Sequence, residues 1–402
     1  MIVEDQTEVI EFLCRPGSYG PDVNEVQRID THGAVVFLAG DRAYKMKRAV
    51  FFEYMDFSTL DRREQCCRAE LRLNGRTAPE TYLGVVVVTR ETDGELVLDG
   101  AGTPLEWLVH MRRFAEADVL DKVALRGEFD DALAIRVADM ACDFLDSCRV
   151  HREQGVCDTM ADIVAETARL LSGGVGDMFS QADVDELSQR QIAAVQKLSA
   201  PLEARRLAGF IRHGHGDFHL RNICLIDGQP TMFDAIEFND RLAISDVLYD
   251  LAFLLMDLIH RGLGGPANLI LNRYLERSGD FGGVRLLALY LSVRAGIRAF
   301  TAIPAAANQD DPEIAQRVRA GAVEYLALAI QCLEPVTPNL IAVGGLSGSG
   351  KSTQAKLLAP TQGGPIGAVV LRSDVLRKSL MGVAATDPLG PQGYTADVTA
   401  KV

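Results

Sequence analysis

The amino-acid sequence predicts an α/β protein with a β-rich first part, a helical second part and the start of a further α/β unit. Up to about residue 112, short apolar runs are separated by turn signals, a pattern typical of strands. Beyond it, apolar residues recur every three or four positions, which indicates amphipathic helices. We therefore predict regions at 1–112, 113–334 and 340–402, with a proline-containing linker at 335–339.

The β-rich region contains two runs that predict neighbouring strands. AVVFLAG at 34–40 and DRAYKMKRAV at 41–50 are joined across a Gly-Asp turn. A Ser/Thr start and helical leucine spacing predict a helix over 58–76. Two further β-rich runs flank the turn ETDGE at 91–95, and EWLVHMRRF at 106–114 predicts one more strand.

The helical region contains four segments with apolar residues on one helix face. The predicted helices lie at 130–149, 184–211, 285–303 and 312–333. The last region then opens with the apolar run NLIAVG, which predicts a buried strand entering a glycine-rich turn.

Composition favours a soluble cytoplasmic protein. The chain of 402 residues is 48% hydrophobic and 24% charged, as in ordinary globular proteins. The acidic N-terminus does not resemble a secretory leader, and the most apolar run, LYDLAFLLMDLI, is too short to span a bilayer. Eight scattered cysteines without a CxxC pair favour a reducing compartment and argue against a structural zinc site.

The charge is distributed unevenly along the chain. The net charge of −14 argues against broad nucleic-acid or anionic-membrane binding. From residue 338 onward, six Lys/Arg face three Asp/Glu, so this part carries +3 and the rest −17. The change supports a domain boundary there and predicts that the more basic part binds an anion.

The segment HGHGDFHLRN at 213–222 raises the question of a metal cluster, a catalytic loop or a polar turn. Asp217 and Asn222 are five positions apart, and the following ICLIDGQPTMF predicts a hairpin that returns Asp234 to the vicinity of Asn222. Phosphoryl transfer requires such a set: an Asp that accepts the acceptor hydroxyl's proton, and an Asn and a second Asp that hold Mg²⁺. The histidines are then expected to hold the loop by hydrogen bonds.

The motif HGDFHLRN with the later FDAIEF resembles the aminoglycoside phosphotransferase-like kinases, relatives of the protein kinases. The resemblance implies a two-lobed, protein-kinase-like α+β fold with ATP and Mg²⁺ as cofactors. It implies that Asp217 is the catalytic base and that Asn222 and Asp234 are metal ligands. In ISDVLYDLAFLL, Asp246 and Asp250 resemble the family's GDPxxDLA motif, for which we expect a structural role in supporting the loop.

The same resemblance requires a strand lysine on the phosphates and a helix glutamate that orients it. AYKMK offers Lys45 and Lys47 on one strand face, and Lys45 better matches the family lysine. Glu70 best matches the glutamate, with Glu64 second. Solvated charges on an edge strand are the alternative for both lysines. The sequence departs from protein kinases because no G-x-G-x-x-G precedes the lysine.

A second nucleotide motif, GLSGSGKS at 345–352, matches G-x-x-x-x-G-K-[ST] between a predicted strand and a predicted helix. Successive backbone N–H groups and a helix N-terminus can enclose a phosphate, and glycine allows its close approach. Lys351 is expected to reach the phosphates and Ser352 the Mg²⁺. The nucleotide-binding residues predicted here are Gly345, Gly348, Gly350, Lys351, Ser352 and Thr353.

The following VVLRSDVLRKSLMG resembles small-molecule, polynucleotide and zeta-toxin-like P-loop kinases. The resemblance implies that Asp374 and Arg377 contact the acceptor, whereas a helix cap is the simpler interpretation. After Asp374, only Asp387 and Asp397 are acidic, and neither lies on an apolar strand, so we expect an incomplete P-loop unit. The whole arrangement resembles bacterial proteins in which an aminoglycoside phosphotransferase-like domain is fused to a P-loop ATPase.

Three functions remain open from the sequence. The first is an ATP- and Mg²⁺-dependent kinase that phosphorylates a hydroxyl of a small molecule. The second is a pseudokinase that binds nucleotide and regulates the P-loop module. The third places the chemistry in the P-loop kinase, with the first part binding substrate. The acceptor and the oligomeric state do not follow from the sequence.

Overall fold

The computed structural model describes residues 2–52, 55–153, 155–346, 348–383 and 387–402. Its strands are β1 Val26–Asp30, β2 Ala34–Ala39, β3 Arg42–Lys47, β4 Phe51–Phe52, β5 Met55–Asp56, β6 Tyr82–Arg90, β7 Leu96–Leu98, β8 Thr103–Arg112, β9 Ile211–His213, β10 Ile223–Ile226, β11 Gln229–Met232 and β12 Ile244–Asp246. Its helices are α1 Thr7–Leu13, α2 Leu60–Asn74, α3 Leu120–Leu125, α4 Asp131–Ser147, α5 Val156–Ser172, α6 Gln181–Lys197, α7 Ser199–Ala208, α8 Asp240–Ala243, α9 Val247–His260, α10 Gly264–Ser278, α11 Val284–Ala307, α12 Pro312–Cys332, α13 Lys351–Leu358, α14 Ser373–Leu380 and α15 Ala396–Lys401. The predicted fold class, a β-rich part followed by a helical part, is confirmed by these elements.

The chain forms two compact units, each built from several segments. The first unit comprises 1–129, 143–156 and 202–253, and the second comprises 130–142, 157–201 and 254–402. The predicted boundaries at 112, 334 and 339 stay a prediction.

The first unit is centred on a six-stranded antiparallel sheet in the order β1-β2-β3-β8-β6-β7. Because side chains alternate along a strand, Lys45 and Lys47 of β3 point to the same face. The predicted pairing of the first two runs is confirmed, with Val36 opposite Lys45. On β3, Tyr44 and Met46 point to the opposite face and belong to an apolar core.

Helix α2 packs on the sheet against β8 and β6. It begins where the Thr59 side chain accepts a hydrogen bond from the Arg62 N–H group, which is a helix cap. Cys67, Glu70 and Asn74 lie three and four residues apart and are all buried, so they form the helix face turned to the interior. The helix therefore places one carboxylate under the sheet.

The predicted hairpin after Asn222 is confirmed. Strands β10 and β11 pair with Ile223 opposite Met232. Asp227 and Gly228 at the turn both have positive φ, +50° and +76°, as a two-residue hairpin turn requires. The hairpin thus returns the chain to the residue that follows it, Asp234.

The single helix predicted at 184–211 is wrong. Helix α6 ends at Lys197, and α7 begins at Ser199. Pro201 lacks an N–H group and its ring would clash with the carbonyl of Lys197, so one continuous helix cannot pass through this position.

Among the described residues, the stretch Phe281–Ala307 is long and apolar enough to cross a membrane, but 61% of its apolar window is buried inside the protein. Such burial is typical of a core helix. All eight cysteines, which lie within the described ranges, are free thiols.

The buried strand predicted for NLIAVG is wrong for the described residues. Residues 339–346 are coil, with Leu340 91% and Leu346 85% exposed. A strand requires a neighbouring strand for its backbone hydrogen bonds, and the described part of 335–402 contains none. The strand predicted before Asp374 is absent from the described residues for the same reason, and α14 begins at Ser373.

The segment at 366–370 instead contacts α10 within the second unit. Asn268 donates to the carbonyls of Ile366 and Ala368, both at 2.9 Å. The Asn272 amide donates to the Ala368 carbonyl at 3.2 Å and accepts from the Val370 N–H at 2.6 Å. Side chains of a helix thus satisfy backbone groups that a neighbouring strand would otherwise satisfy.

Candidate active site

The lysines of β3 share one buried carboxylate. The Lys45 ammonium lies 2.9 Å from Oε1 of Glu70, and the Lys47 ammonium contacts Oε2 of the same residue. The side chains of Glu70 and Lys47 are 0% and 2% exposed, and that of Lys45 is 14% exposed. The lysines are therefore not solvated charges of an edge strand. Glu64, the second choice from the sequence, pairs instead with Arg68.

Each lysine has a second acidic partner in the segment after β11. The Lys45 ammonium lies 2.5 Å from Oδ1 of Asp234, and Lys47 contacts Oε1 of Glu237. The five side chains form a row in which acids and bases alternate, from Asp234 through Lys45, Glu70 and Lys47 to Glu237. Three carboxylates and two ammonium groups give the row a formal charge of −1 when all are ionised.

Helix α2 and β6 fix the segment that carries Asp234. The backbone N–H of Ala235 donates to Oδ1 of Asn74 at 2.9 Å, and the Asn74 amide donates to the Glu70 carbonyl at 3.0 Å. The N–H of Asp234 donates to the Tyr82 hydroxyl at 3.1 Å. Asp234 itself has a φ of +63°, which a non-glycine residue adopts at a cost. These contacts hold that conformation.

The row shifts the pKa of its members in opposite directions. Burial opposes the charge of Lys45, but the carboxylates of Asp234 and Glu70 hold the pKa of this lysine well above its usual value. Desolvation disfavours the ionised form of Asp234, yet the Lys45 charge keeps the pKa of that carboxyl below its usual range. Burial raises the pKa of Glu237, and the charge of Lys47 only partly offsets this effect.

The segment at 213–222 forms the predicted loop around Asp217. The Asn222 amide donates to the carbonyl and to Oδ2 of Asp217, both at 2.9 Å. The Asp217 side chain is 39% exposed, so its carboxylate remains accessible to a ligand. The Phe233 N–H donates to the Asn222 carbonyl at 3.0 Å, which places the loop beside the residue that precedes Asp234.

The two buried histidines hold this loop, as the sequence predicts. Nδ1 of His215 accepts from the Asp217 N–H at 3.3 Å, and its Nε2 lies 2.9 Å from the Phe233 carbonyl, which assigns the proton to Nε2. Burial lowers the pKa of His215. Nε2 of His219 lies 3.3 Å from Oδ2 of Asp217. Both rings therefore orient the Asp217 region.

Asp250 and Asp246 support the loop from below. The Asp250 carboxylate accepts from the N–H groups of His215 at 2.7 Å and Gly216 at 3.0 Å. Asp246 accepts two hydrogen bonds from Arg205, at 2.5 and 2.7 Å, and one from the Leu248 N–H at 2.8 Å. Both contacts fit the structural role expected from the sequence.

The donor set near Asp217 suits Mg²⁺. The Asp234 carboxylate, 44% exposed, and the Asn222 amide oxygen are hard donors on the two segments that the hairpin brings together. Within the described ranges, no group of three or more His, Cys, Asp or Glu side chains is placed to hold a metal ion. Mg²⁺ commonly binds one or two protein ligands and takes its remaining ligands from phosphates and water.

The glycine-rich segment at 345–353 forms a turn before α13. Gly345, Gly348 and Gly350 have φ values of +156°, +75° and +80°, which suit glycine. The Lys351 ammonium donates to the Leu346 carbonyl at 2.6 Å. Ser352 and Thr353 lie exposed in the first turn of the helix. Ser347, within the motif, lies outside the described residues.

The two residues predicted to contact an acceptor near α14 have intramolecular partners. Asp374 pairs with Lys378 at 3.3 Å. Arg377 donates to the Gly393 carbonyl at 2.8 Å and to the Thr399 hydroxyl at 3.0 Å. Their predicted role stays a prediction.

Sequence reasoning missed Asn74 and Glu237. A sequence signal existed for Glu237, which follows Asp234 by three positions in FDAIEF. No local pattern distinguishes Asn74 from other polar residues of a helix, because its role depends on the approach of a segment more than 150 residues away.

The chain is similar to longer mycobacterial proteins. It is 32% identical over 371 residues to the uncharacterized proteins Rv2004c and MT2060 of Mycobacterium tuberculosis and Mb2027c of Mycobacterium bovis. The alignment covers 89% of this chain and 70% of each relative. The chain belongs to the family of these proteins. No family model matches it.

Solved structures with the same general arrangement are more distant. A choline/ethanolamine kinase family protein from Mesorhizobium loti is 14% identical, with a TM-score of 0.45 over 78% of this chain and 94% of that one. Choline kinase from Cryptosporidium parvum is 12% identical, with a TM-score of 0.48 over 82% and 98%. The aminoglycoside phosphotransferase APH(4)-Ia is 13% identical, with a TM-score of 0.45 over 80% and 99%. Any assignment of activity to this chain has to come from its side chains.

Proposed function

We propose that the chain is an ATP- and Mg²⁺-dependent phosphotransferase that moves the γ-phosphoryl group to a hydroxyl of a small molecule. One observation carries the proposal: a β3 lysine, paired with a carboxylate of α2, also contacts the aspartate that follows the hairpin after the Asp217 loop. Phosphoryl transfer needs a phosphate-binding cation, metal ligands and a base in such proximity.

In this reaction, Asp217 accepts the proton of the acceptor hydroxyl as its oxygen attacks the γ-phosphorus. Asn222 orients the base by donating to Oδ2 of Asp217. Lys45 leaves Asp234 and binds the phosphates, while Glu70 retains the lysine in position. Asn222 and Asp234 would hold Mg²⁺, which neutralises phosphate charge when bound.

A second nucleotide-phosphate site at 345–353 forms part of this proposal. The three glycines with positive φ and the lysine at the start of α13 suit a loop that encloses phosphate. Lys351 and Ser352 would bind the phosphates and Mg²⁺, with Thr353 beside them. Asp374 and Arg377 would bind an acceptor only after Arg377 releases its present partners.

The net charge of −14 and the free cysteines support a cytoplasmic enzyme that acts on a small molecule rather than on nucleic acid or at a membrane. The acceptor hydroxyl belongs to a compound that can approach Asp217, whose side chain is 39% exposed.

The proposal is tested by incubating the full chain with Mg²⁺, γ-labelled ATP and a pooled small-molecule extract. Wild type is compared with Asp217→Asn and, as a matched control, with Asp227→Asn at the hairpin turn. Label in a small molecule with wild type and the control, but not with Asp217→Asn, is the expected result. Equal labelling by Asp217→Asn would remove Asp217 as the base.

A further inference from the structure

Lys47 is buried at a position where a strand lysine would ordinarily reach solvent. Its side chain is 2% exposed, and its ammonium contacts Oε2 of Glu70 and Oε1 of Glu237. The ammonium also lies 5.4 Å from the centre of the Phe57 ring. Glu237 is itself 4% exposed, so water contributes little to the charge balance of these groups.

The bridging carboxylate connects Lys47 to the phosphate-binding lysine. Glu70 gives one oxygen to each lysine, and Lys45 has Asp234 as its second partner. When Lys45 moves to a phosphate, Asp234 is released to its exposed side. Glu70 and Glu237 cannot move to solvent, and their charge then depends on the remaining ammonium group.

We propose that Lys47 is a second positioning lysine, which compensates Glu70 and Glu237 so that Lys45 can exchange Asp234 for nucleotide phosphates. This inference rests on the proposed nucleotide site of the first unit. Lys47 does not touch the nucleotide; it acts through Glu70 and through the segment 234–237.

Charge counting separates this role from simple packing. The row carries −1 in wild type and −2 in Lys47→Met, so the variant repels phosphate and leaves Glu237 without its lysine. Adding Glu237→Gln returns the formal charge to −1 without restoring the lysine stem. A packing role predicts no rescue by the second substitution, whereas charge compensation requires it.

The test measures the dissociation constant of Mg·ATP for the full chain by titration, together with the KM and kcat of transfer. Because residues 345–353 offer another phosphate site, every variant carries Lys351→Ala. Lys47→Met is compared with Lys47→Met/Glu237→Gln, with Lys45→Met, and with Lys122→Met as a control at an exposed lysine. Lys47→Arg retains the charge and serves if Lys47→Met does not fold.

The expected result is roughly 10- to 100-fold weaker binding by Lys47→Met, the loss typical when a partner supporting a ligand residue is removed. KM should rise more than kcat falls, and Glu237→Gln should recover most of the affinity. Wild-type affinity in Lys47→Met, or no recovery in the double variant, overturns the inference. So does Lys47→Arg binding as weakly as Lys45→Met.

These outcomes differ from failure of the proposed function. If the Lys351→Ala background binds Mg·ATP but transfers no phosphate to any acceptor, the phosphotransferase proposal fails and the affinities still test Lys47. If that background binds no Mg·ATP, both proposals are overturned. A thermal melt of each variant separates weak binding from unfolding.

Discussion

Individual residues around Asp217 are held by partners that fix both position and protonation. His215 receives the Asp217 N–H on Nδ1 and faces the Phe233 carbonyl with Nε2, so the ring is required in its neutral form. Burial lowers the pKa of this histidine, and also those of four others: His32, His110, His213 and His260. The folded chain therefore favours neutral histidines.

This preference gives stability a defined pH dependence. A histidine with a lowered folded pKa contributes stability above its unfolded pKa, about 6.5, and loses it as the pH falls, because only the unfolded chain then binds the proton. We expect the free energy of unfolding, measured with urea, to decrease from pH 7.5 to pH 5.5. In His215→Gln, part of that slope should disappear. A flat profile would contradict the assignment of buried neutral histidines.

Some residues of the site could be predicted from sequence, and others could not. The spacing of Asp217, Asn222 and Asp234 identifies a loop and a hairpin, because both are local features. The choice of Glu70 over Glu64 is consistent with its contacts to both lysines. The burial of Lys47 depends on two carboxylates from separate parts of the chain, and no short pattern encodes their convergence.

At the scale of elements, α2 connects the sheet to the segment after β11. Asn74 and Glu70 lie one helical turn apart, and Asn74 accepts the Ala235 N–H while Glu70 binds the lysines. A displacement of the helix would therefore move the lysine partner and the backbone next to Asp234 together. The site depends on the position of α2 rather than on one residue.

Asn74→Ala should show this dependence. The substitution leaves the Ala235 N–H without its partner, and a buried unsatisfied donor costs about 1–3 kcal/mol. We expect a lower free energy of unfolding and weaker Mg·ATP binding. Glu64→Ala, on the same helix but in an exposed pair, should stay within about 0.5 kcal/mol. Equal effects of the two substitutions would argue against the role of Asn74.

Elements followed the sequence where their partners are local in the chain. The β2–β3 pair, the hairpin and α2 carry their own turn or cap signals. The break between α6 and α7 was also encoded, by Pro201, but helical periodicity on both sides concealed it. The segment NLIAVG has strand composition, yet composition cannot supply the neighbouring strands that a buried strand needs.

At the scale of the whole molecule, the chain contains two sets of residues suited to nucleotide phosphates, one in each compact unit. The row of charged side chains lies in the first unit, and the glycine-rich loop lies in the second. In the second unit, α10 holds the stretch that follows this loop through Asn268 and Asn272. These two side chains are 3% and 8% exposed.

Asn268→Ala/Asn272→Ala should release that stretch. The backbone groups at 366–370 would lose their side-chain partners, and their amide hydrogens should exchange faster, as expected for a segment with fewer buried hydrogen bonds. Hydrogen exchange followed by mass spectrometry measures this directly. Exchange at β10 and β11 serves as the internal control. Unchanged protection at 366–370 would mean that the two asparagines do not hold the stretch.

The most direct test of the phosphotransferase assignment is a time course of label transfer from γ-labelled ATP by wild type and Asp217→Asn, with Mg·ATP affinity measured for both. A general base contributes about 10²- to 10⁴-fold to rate, so transfer should fall by that order while affinity stays near wild type. Transfer at the wild-type rate by Asp217→Asn would contradict the account, as would the absence of transfer by a wild type that binds Mg·ATP.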